Sequence, residues 1–328
     1  MPKSNHEEIE KLKEFFEKLP SRTDKPLSKI TIMNYVSKLN KLAQLVEGHP
    51  WDGNSGFLMN AKKVISAIDK AQITGKKDFL SPVLRLLKSM NVDSNLITEY
   101  QKGLAQFKND EYSDRKKNKT SDEKADGSLP LSQILEKIKA FKPQNDIQLV
   151  YLLINAIYFM NTLVPRNDLN IVKFASSSKK SKDLNKDFNY ILVDKDGTPS
   201  AMVWNNYKSN HTFGSKKFPI TTPVQTLIRE YMKRFNKVNG DFLFTMRNGE
   251  PYKKSNFLDL IKSATETVLG KPMGVDLIRQ IQITDYYRDK VKTIEEDERD
   301  AERYLHSVNI HKEYMRTNLK EESESEEL

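Results

Sequence analysis

The chain has 328 residues, of which 37% are hydrophobic and 30% are charged, enough for two globular domains with buried cores and a strongly charged surface. Its formal net charge is +9, and five glutamates lie in the last eight residues, so the rest of the chain is more basic still and favours a polyanionic partner. The absence of cysteine excludes disulfides, thiolate nucleophiles and cysteine-ligated zinc.

The sequence shows no pattern typical of a metal site, a cofactor site or a membrane span. The five histidines lack a ligand spacing such as HExxH; they are His6, His49, His211, His306 and His311. The polar amino terminus lacks the apolar core of a signal peptide. The longest apolar stretch, residues 149–160, contains Asn155 and is too short for a bilayer. We therefore expect a soluble intracellular protein without cofactor or metal, in which this stretch forms a buried helix.

Residues 1–108 are predicted to form an all-helical domain. Apolar residues recur at helical spacing over residues 9–19 and 32–43, and further helices are expected over 61–72, 80–89 and 94–107. A change of composition follows. Residues 109–127 include eleven charged side chains among nineteen and carry too little apolar surface to pack, so we predict a flexible charged linker there. A solvated loop inside one domain is the alternative.

Residues 128–316 are predicted to form a second domain, in which the periodicity changes from helical to β and back. Three strands are expected, the first two joined by an Asp196-Gly197 turn; they cover residues 188–193, 201–204 and 217–220. Helices are expected over residues 131–140, 146–163, 222–235, 254–269, 275–289 and 295–305. The predicted fold class is mainly α with a small antiparallel β-sheet, followed by an acidic tail over residues 317–328.

Five side chains of the second domain stand out by residue type and predicted position. They are Arg166, which closes an apolar helix, Lys208 in a β-hairpin, Arg279 inside a helix, His306, and Tyr314 on a short helix eight residues after that histidine. Metal-independent, reversible DNA cleavage needs such groups: a hydroxyl nucleophile, cations for the pentacoordinate transition state and a proton donor for the departing 5′ oxygen. Arginine suits the second task because its planar fork stays charged and grips two phosphate oxygens.

These segments resemble the tyrosine recombinase (phage integrase) family. The segment LVPRNDL (163–169) is similar to the family's first arginine box, YKS (207–209) to its hairpin lysine, GVDLIRQIQIT (274–284) to its second arginine box, and LHS (305–307) with Tyr314 to its final histidine and nucleophile. The residues of the first arginine box and of the LHS segment are most similar to those of recombinases from large eukaryotic DNA viruses and mobile elements. The helical residues 1–108 then correspond to a core-binding domain, and residues 128–316 to the catalytic domain.

The resemblance implies a role for each residue. Arg166 and Arg279 clamp the scissile phosphate, Lys208 protonates the leaving oxygen, and His306 binds a nonbridging oxygen. Tyr314 attacks phosphorus and forms a 3′-phosphotyrosyl link. It also implies double-stranded DNA as the partner, a homo-tetramer on DNA with a monomer free in solution, and a location with the DNA: the host nucleus, a viral replication compartment or a prokaryotic cytoplasm.

One position departs from the family pattern. Three residues before the second arginine the family usually has histidine or lysine, whereas this chain has Asp276. A carboxylate beside a phosphate is electrostatically unfavourable, so Asp276 either turns away or weakens the site. His311, one helical turn before Tyr314, is a candidate accessory base.

Each residue also has a structural interpretation. Arg166 could cap a helix, Lys208 could be solvated, and Arg279 could pair with Asp276 or Asp285. His306 could be a helix-terminal histidine and Tyr314 a packing residue. The joint order and element types favour catalysis. We predict a site-specific recombinase that integrates or resolves a viral or mobile genome; a type IB topoisomerase-like enzyme and a non-catalytic DNA-binding descendant are the alternatives.

Overall fold

The computed structural model describes residues 3–19, 26–71, 73, 75–116, 121–179, 183–288, 292–316 and 319. The chain divides into two compact units, Met1–Lys116 and Lys117–Leu328. Most of the predicted acidic tail, residues 317, 318 and 320–328, lies outside the described residues, as do linker residues 117–120. The domain boundaries predicted at residues 108, 127 and 316 stay predictions.

The first unit is helical throughout its described residues. Its helices are α1 (Lys3–Glu17), α2 (Lys29–Glu47), α3 (Ala61–Lys70), α4 (Lys77–Ser89) and α5 (Ser94–Lys116), with a 3-10 turn at Gly56–Met59. The apolar positions read from the sequence form its core; Phe16, Leu39, Leu42 and Tyr100 are fully buried. Local capping fixes the helix ends: Ser28 accepts from the Thr31 amide before α2, and Asn60 accepts from the Lys63 amide before α3.

The charged segment 109–127 is more ordered than predicted. Helix α5 continues to Lys116, and a short helix α6 spans Asp122–Asp126. High charge does not prevent a helix, because its backbone hydrogen bonds are satisfied internally and the charged side chains stay in water. An ion pair of 2.6 Å between Lys77 and Glu111 also joins α5 to α4. Helical structure therefore extends into both described ends of the segment predicted as a linker, and its role as a linker stays a prediction.

The second unit contains α6, eight further helices and a four-stranded sheet among its described residues. The helices are α7 (Leu131–Ala140), α8 (Asp146–Met160), α9 (Asn210–Phe213), α10 (Thr222–Arg234), α11 (Lys254–Leu269), α12 (Val275–Tyr287), α13 (Ile294–Arg303) and α14 (Val308–Lys312). The bounds of α7 and α11 are those predicted. Helix α8, the predicted buried helix, packs with α10 and α11, and Leu153, Ile154 and Ile157 are fully buried.

Helix α8 ends three residues before the predicted position. Asn161 adopts an extended backbone, and its side-chain oxygen accepts a hydrogen bond from the Thr221 amide at 3.2 Å. Because Thr221 directly precedes α10, this bond holds Asn161 at the start of α10 rather than in a further turn of α8. As a result the segment that leads to Arg166 is irregular rather than helical.

The sheet has one strand more than predicted and is mixed. Its strands β1 (Val172–Ser176), β2 (Asn189–Val193), β3 (Pro199–Trp204) and β4 (Lys216–Pro219) lie in the order β1-β2-β3-β4. Strand β1 pairs with β2 in parallel, whereas β2–β3 and β3–β4 are antiparallel. The mainly helical class with a small sheet is confirmed, and its description as antiparallel is wrong. Strand β1 follows directly on a 3-10 turn, Asn167–Ile171. No glycine or proline stands at this junction to mark the start of a strand in the sequence.

No helix within the described part of the chain combines the length and hydropathy that a bilayer crossing requires.

The connection between α11 and α12 provides a stability test. The fully buried Thr265 hydroxyl on α11 accepts a hydrogen bond from the Met273 amide at 2.7 Å, just before α12 begins. We expect Thr265→Val to keep the side-chain volume but leave this amide unpaired, at a cost of about 1–3 kcal/mol in the free energy of unfolding. Urea denaturation measures the difference. Thr226→Val on the exposed face of α10 is the matched control and should stay within about 0.5 kcal/mol of wild type; equal values for both variants would contradict the assignment.

Candidate active site

Four of the five predicted side chains meet at one point. The Nη2 atoms of Arg166 and Arg279 lie 3.1 Å and 2.5 Å from Nε2 of His306. Arg166 Nη2 also donates to the Tyr314 hydroxyl at 3.3 Å. These residues are separated by up to 148 positions in the chain, so their convergence is a property of the fold.

Arg279 is the fully buried member of this group. It lies on the inner face of α12, where Nη1 donates to the Val164 carbonyl at 2.8 Å and Nη2 to the Tyr304 carbonyl at 2.6 Å. Burial lowers the pKa of Arg279 to about 10, partly opposed by the neighbouring Tyr314. The guanidinium therefore stays charged at neutral pH. The alternative of a salt bridge to Asp276 or Asp285 is not found, because backbone carbonyls take its place.

Arg166 is partly exposed and does not close a helix as predicted. It precedes the 3-10 turn Asn167–Ile171, six residues beyond the end of α8. The hydroxyl of the buried Tyr158 donates to its carbonyl oxygen at 2.7 Å. This bond ties the backbone of Arg166 to α8 while leaving its guanidinium free to reach His306 and Tyr314. The capping interpretation of Arg166 is accordingly wrong.

His306 is positioned by the way α13 ends. The His306 amide donates to the Ala301 carbonyl and the Leu305 amide to the Glu302 carbonyl, the bond pair of a Schellman motif. Leu305 occupies the left-handed position of this motif with a φ of 56°, where glycine is usual, at a cost of about 1–3 kcal/mol. The turn directs the His306 ring back towards the two arginines.

His306 is uncharged in this environment. Burial lowers its pKa to about 2, and the positive charges of Arg279 and Arg166 act in the same direction. Because Nε2 faces two guanidinium donors, it must act as the acceptor, and the ring proton is assigned to Nδ1. The imidazole thus occupies the acceptor position between the two arginines.

Tyr314 follows α14 and lies against His306. The two rings stack with their centroids 5.0 Å apart and their planes at 27°. The Arg279 guanidinium lies 5.5 Å from the centre of the same phenol ring. The predicted short helix is present but ends at Lys312, so the tyrosine stands just beyond it. Tyr314 is half-buried against the core of the second unit, and in addition contacts both arginines and the histidine.

Lys208 lies next to this group rather than in contact with it. It is exposed and stands in the connection between β3 and β4, which includes the one-turn helix α9. The Ser209 hydroxyl donates to the Leu305 carbonyl at 3.0 Å and so ties the lysine's loop to the residue before His306. A small pocket is lined by Lys208 together with Arg166 and Arg279.

A cleft of about 870 Å³ opens beside these residues. The active-site cleft is defined by its charged lining residues, five basic against three acidic: Lys124, Arg166, Lys208, Lys254, Lys262, Glu123, Asp168 and Asp276. Asp276 is exposed in the first turn of α12. The buried Asp168 carboxylate is paired with Lys254 at 3.1 Å, and that lysine side chain is 65% exposed.

His311 does not approach the Tyr314 hydroxyl as an accessory base would. Its ring is fully buried, and Nε2 lies 2.9 Å from the Asp300 carboxylate, while Nδ1 has no hydrogen-bond partner. The side chain therefore binds α13, and only its backbone carbonyl contacts Tyr314, by accepting from the Tyr314 amide at 3.0 Å.

Several residues that build the site were missed by sequence reasoning. Asp300, Ser209 and the Tyr304 carbonyl act through positions that no local pattern marks. One sequence feature could have pointed to Asp300, namely the high density of carboxylates in residues 295–302. Two of these carboxylates, Asp297 and Asp300, are buried in the structure. Within the described residues no group of three or more potential ligands is arranged to hold a metal ion.

Comparison with solved structures places the fold. No sequence-family profile and no curated protein matches the chain. The structure of a lambda integrase(75-356) dimer bound to a COC′ core site is 14% identical, with a TM-score of 0.54 and coverage of 98% of this chain and 99% of that one. A second lambda integrase dimer on a COC′ core site is 13% identical, with a TM-score of 0.50 and coverage of 98% and 80%. At these identities the similarity shows the fold, which is that of lambda integrase.

The uncharged state of His306 predicts a pH dependence of stability. Its pKa of about 2 in the folded protein lies below the unfolded value of about 6.5. Below pH 6.5 the unfolded chain therefore binds a proton that the folded protein does not, and stability falls as pH falls. Between pH 7 and pH 5.5 this single group should cost about 1 kcal/mol. The measurement is the urea-derived free energy of unfolding at both pH values for wild type and His306→Gln. The variant should lose about 1 kcal/mol less than wild type, whereas parallel losses would show that His306 titrates normally.

Proposed function

We propose that this protein cuts and rejoins double-stranded DNA through a covalent bond between Tyr314 and a 3′ phosphate. The observation that carries the proposal is the convergence of two guanidinium groups and a phenol hydroxyl on one imidazole nitrogen. A cation pair of this kind, beside a cleft with a basic excess, suits a phosphodiester and its transition state.

The proposed reaction uses these side chains in the following way. A scissile phosphate enters between Arg166 and Arg279, which bind its nonbridging oxygens. The Tyr314 oxygen bonds to phosphorus, the P–O5′ bond breaks, Lys208 gives a proton to the departing oxygen, and the phenol proton passes to solvent water. The phosphotyrosyl bond keeps the energy of the phosphodiester, so attack by a 5′ hydroxyl reverses the sequence and rejoins a strand. Each well-placed donor contributes about 3–4 kcal/mol to such a transition state.

DNA binding should change the state of His306. In the free protein its Nε2 accepts hydrogen bonds from both arginines. A phosphate oxygen is a stronger acceptor for the guanidinium groups and brings a negative charge that opposes the loss of a proton from the ring. We infer that the phosphate takes the acceptor position, that His306 takes up a proton from solvent at Nε2, and that Nε2 then donates a hydrogen bond to a nonbridging oxygen.

Asp276 is the feature that favours a non-catalytic DNA-binding protein as the second candidate. It places a carboxylate in the active-site cleft where the family has a base or cation. Lys262 also lines the cleft and offsets this charge, whereas Lys254 is already paired with Asp168. We infer that the cleft still attracts DNA, and that Asp276 lowers the rate without abolishing it.

The reaction is proposed to serve site-specific recombination, with integration or resolution of a viral or mobile genome as the outcome. In that case the protein is a monomer alone and a tetramer on paired DNA sites. Residues 1–108 then act as the core-binding domain and residues 128–316 as the catalytic domain. A type IB topoisomerase-like enzyme would use the same residues on a single duplex and would relax supercoiled DNA without joining two sites.

A covalent adduct is the direct test of Tyr314. The substrate is a pool of duplexes with a randomised centre, nicked so that cleavage releases a short fragment and traps the enzyme. Wild type is expected to form an adduct that resists denaturation in SDS, and Tyr314→Phe none, because the nucleophilic oxygen is gone. Tyr252→Phe, which removes a hydroxyl outside the site, should behave as wild type. An adduct with Tyr314→Phe would refute the assignment; binding without any adduct in wild type would favour the non-catalytic candidate.

The role of Lys208 is tested with a better leaving group. We expect Lys208→Ala to slow adduct formation about 10²–10⁴-fold, the usual contribution of a general acid. A 5′-bridging phosphorothiolate should restore most of this rate, since a thiolate departs without protonation. Single-turnover rates on both substrates measure the effect. Lys195→Ala, in the exposed turn between β2 and β3, is the control. An equal loss on both substrates would exclude Lys208 as the proton donor.

A further inference from the structure

A buried hydrogen bond between a histidine and a carboxylate joins the helix before the proposed nucleophile to the helix that frames the site. Asp300 on α13 is 4% exposed and His311 on α14 is fully buried. Their side chains meet at 2.9 Å, and the other Asp300 oxygen accepts from Arg303 at 2.8 Å. The Tyr304 ring lies 5.0 Å from the imidazole, centre to centre. None of these groups takes a part in the reaction proposed above.

A second side-chain pair also joins α14 to α13. Lys312, the residue after His311, binds the buried carboxylate of Asp297 at 2.7 Å. The two acceptors are three residues apart and so lie on one face of α13. Helix α14 has only five residues, too few to persist by its own hydrogen bonds. Its position therefore depends on these side chains.

The attachment acts on Tyr314 over a short distance. The Tyr314 amide donates to the His311 carbonyl at 3.0 Å, and the His311 amide donates to the Ser307 carbonyl at 2.9 Å. A shift of His311 therefore moves the backbone that carries the phenol. The same end of α13 supplies the carbonyl of Tyr304 to Arg279 and the turn that presents His306. Helix α13 thus holds the nucleophile and its activating groups in one frame.

The energetics of the Asp300–His311 pair indicate that its main effect is not on the free energy of unfolding. Taking a carboxylate out of water costs several kcal/mol, and a buried pair commonly only balances that cost against a well-packed apolar substitute. An apolar contact between α13 and α14 would hold the helices together. A charged hydrogen bond instead fixes one geometry, because both the distance and the direction matter.

We propose that Asp300 and His311 are positioning residues that hold the Tyr314 hydroxyl in line with the scissile phosphate. This inference rests on the proposed function for its catalytic consequence, and on the contacts alone for its structural one. His311 acts here through the backbone of Tyr314 and not as a base. Both side chains are buried and so out of reach of DNA, and we therefore expect their loss to affect the cleavage step and to spare binding.

The catalytic test uses Asp300→Ala, His311→Ala and the conservative Asp300→Asn, which keeps an oxygen for His311. The control is Glu302→Gln, a substitution on the same helix α13. It weakens the exposed ion pair between Glu302 and Lys216 on β4. We expect the two alanine variants to form the adduct about 10²-fold more slowly, as a displacement of about 1 Å can, with DNA affinity within about twofold of wild type. Asp300→Asn should recover part of the rate. A 5′-bridging phosphorothiolate should not restore the alanine variants, because a better leaving group does not correct a misplaced nucleophile.

A second measurement does not depend on cleavage. Hydrogen–deuterium exchange of the free protein should show faster exchange over residues 308–316 in Asp300→Ala and His311→Ala, with residues 275–287 unchanged. Unchanged exchange over 308–316, or wild-type cleavage rates in both alanine variants, would overturn the positioning role. Absence of an adduct in wild type would instead contradict the proposed function, and the exchange result would still decide whether the pair fixes α14. Loss of protection throughout the second unit would show that the pair only stabilises the fold, which also overturns the proposal.

Discussion

The arrangement of this site depends on one buried charge, the guanidinium of Arg279. It is fully excluded from solvent, and a charge of that kind costs several kcal/mol unless hydrogen bonds and favourable surroundings compensate. The carbonyl oxygens of Val164 and Tyr304 provide those bonds, and the rings of Tyr304 and Tyr314 contribute cation–π contacts at 5.1 Å and 5.5 Å. The segment before Arg166 and the end of α13 are thus drawn to the same point.

The second arginine and the histidine follow from this constraint. Once the Val164 carbonyl is bound, Arg166 lies two residues further along the chain, at the mouth of the active-site cleft. Once the Tyr304 carbonyl is bound, the turn at Leu305 brings His306 between the arginines. Burial and, after it, the charges of the two guanidinium groups keep the imidazole neutral, so the protein holds a neutral acceptor at the position proposed for the phosphate. Such preorganisation is what electrostatic catalysis requires, since little has to move when charge develops.

Much of the second unit was readable from sequence because its signals are local. The bounds of α7 and α11 follow from apolar periodicity, and the β2–β3 pair follows from alternation around Asp196-Gly197. The convergence of Arg166, Arg279, His306 and Tyr314 was expected only through family resemblance, since no local pattern brings together residues this far apart in the chain. Strand β1 was missed because its parallel pairing with β2 is set by tertiary contacts. The predicted bounds of α5 were too short, because the high charge of the residues after 108 was interpreted as a sign of disorder. The buried Asp300–His311 pair was not predicted, because the acidic run in residues 295–302 that contains Asp300 is typical of a solvated helix face.

The central claim is that the Tyr314 oxygen becomes bonded to phosphorus. Mass spectrometry of the trapped adduct, after digestion of both protein and DNA, locates that bond most directly. The account predicts a nucleotide attached through its 3′ phosphate to the peptide that contains Tyr314. A nucleotide on any other residue, or a 5′ linkage, would contradict it.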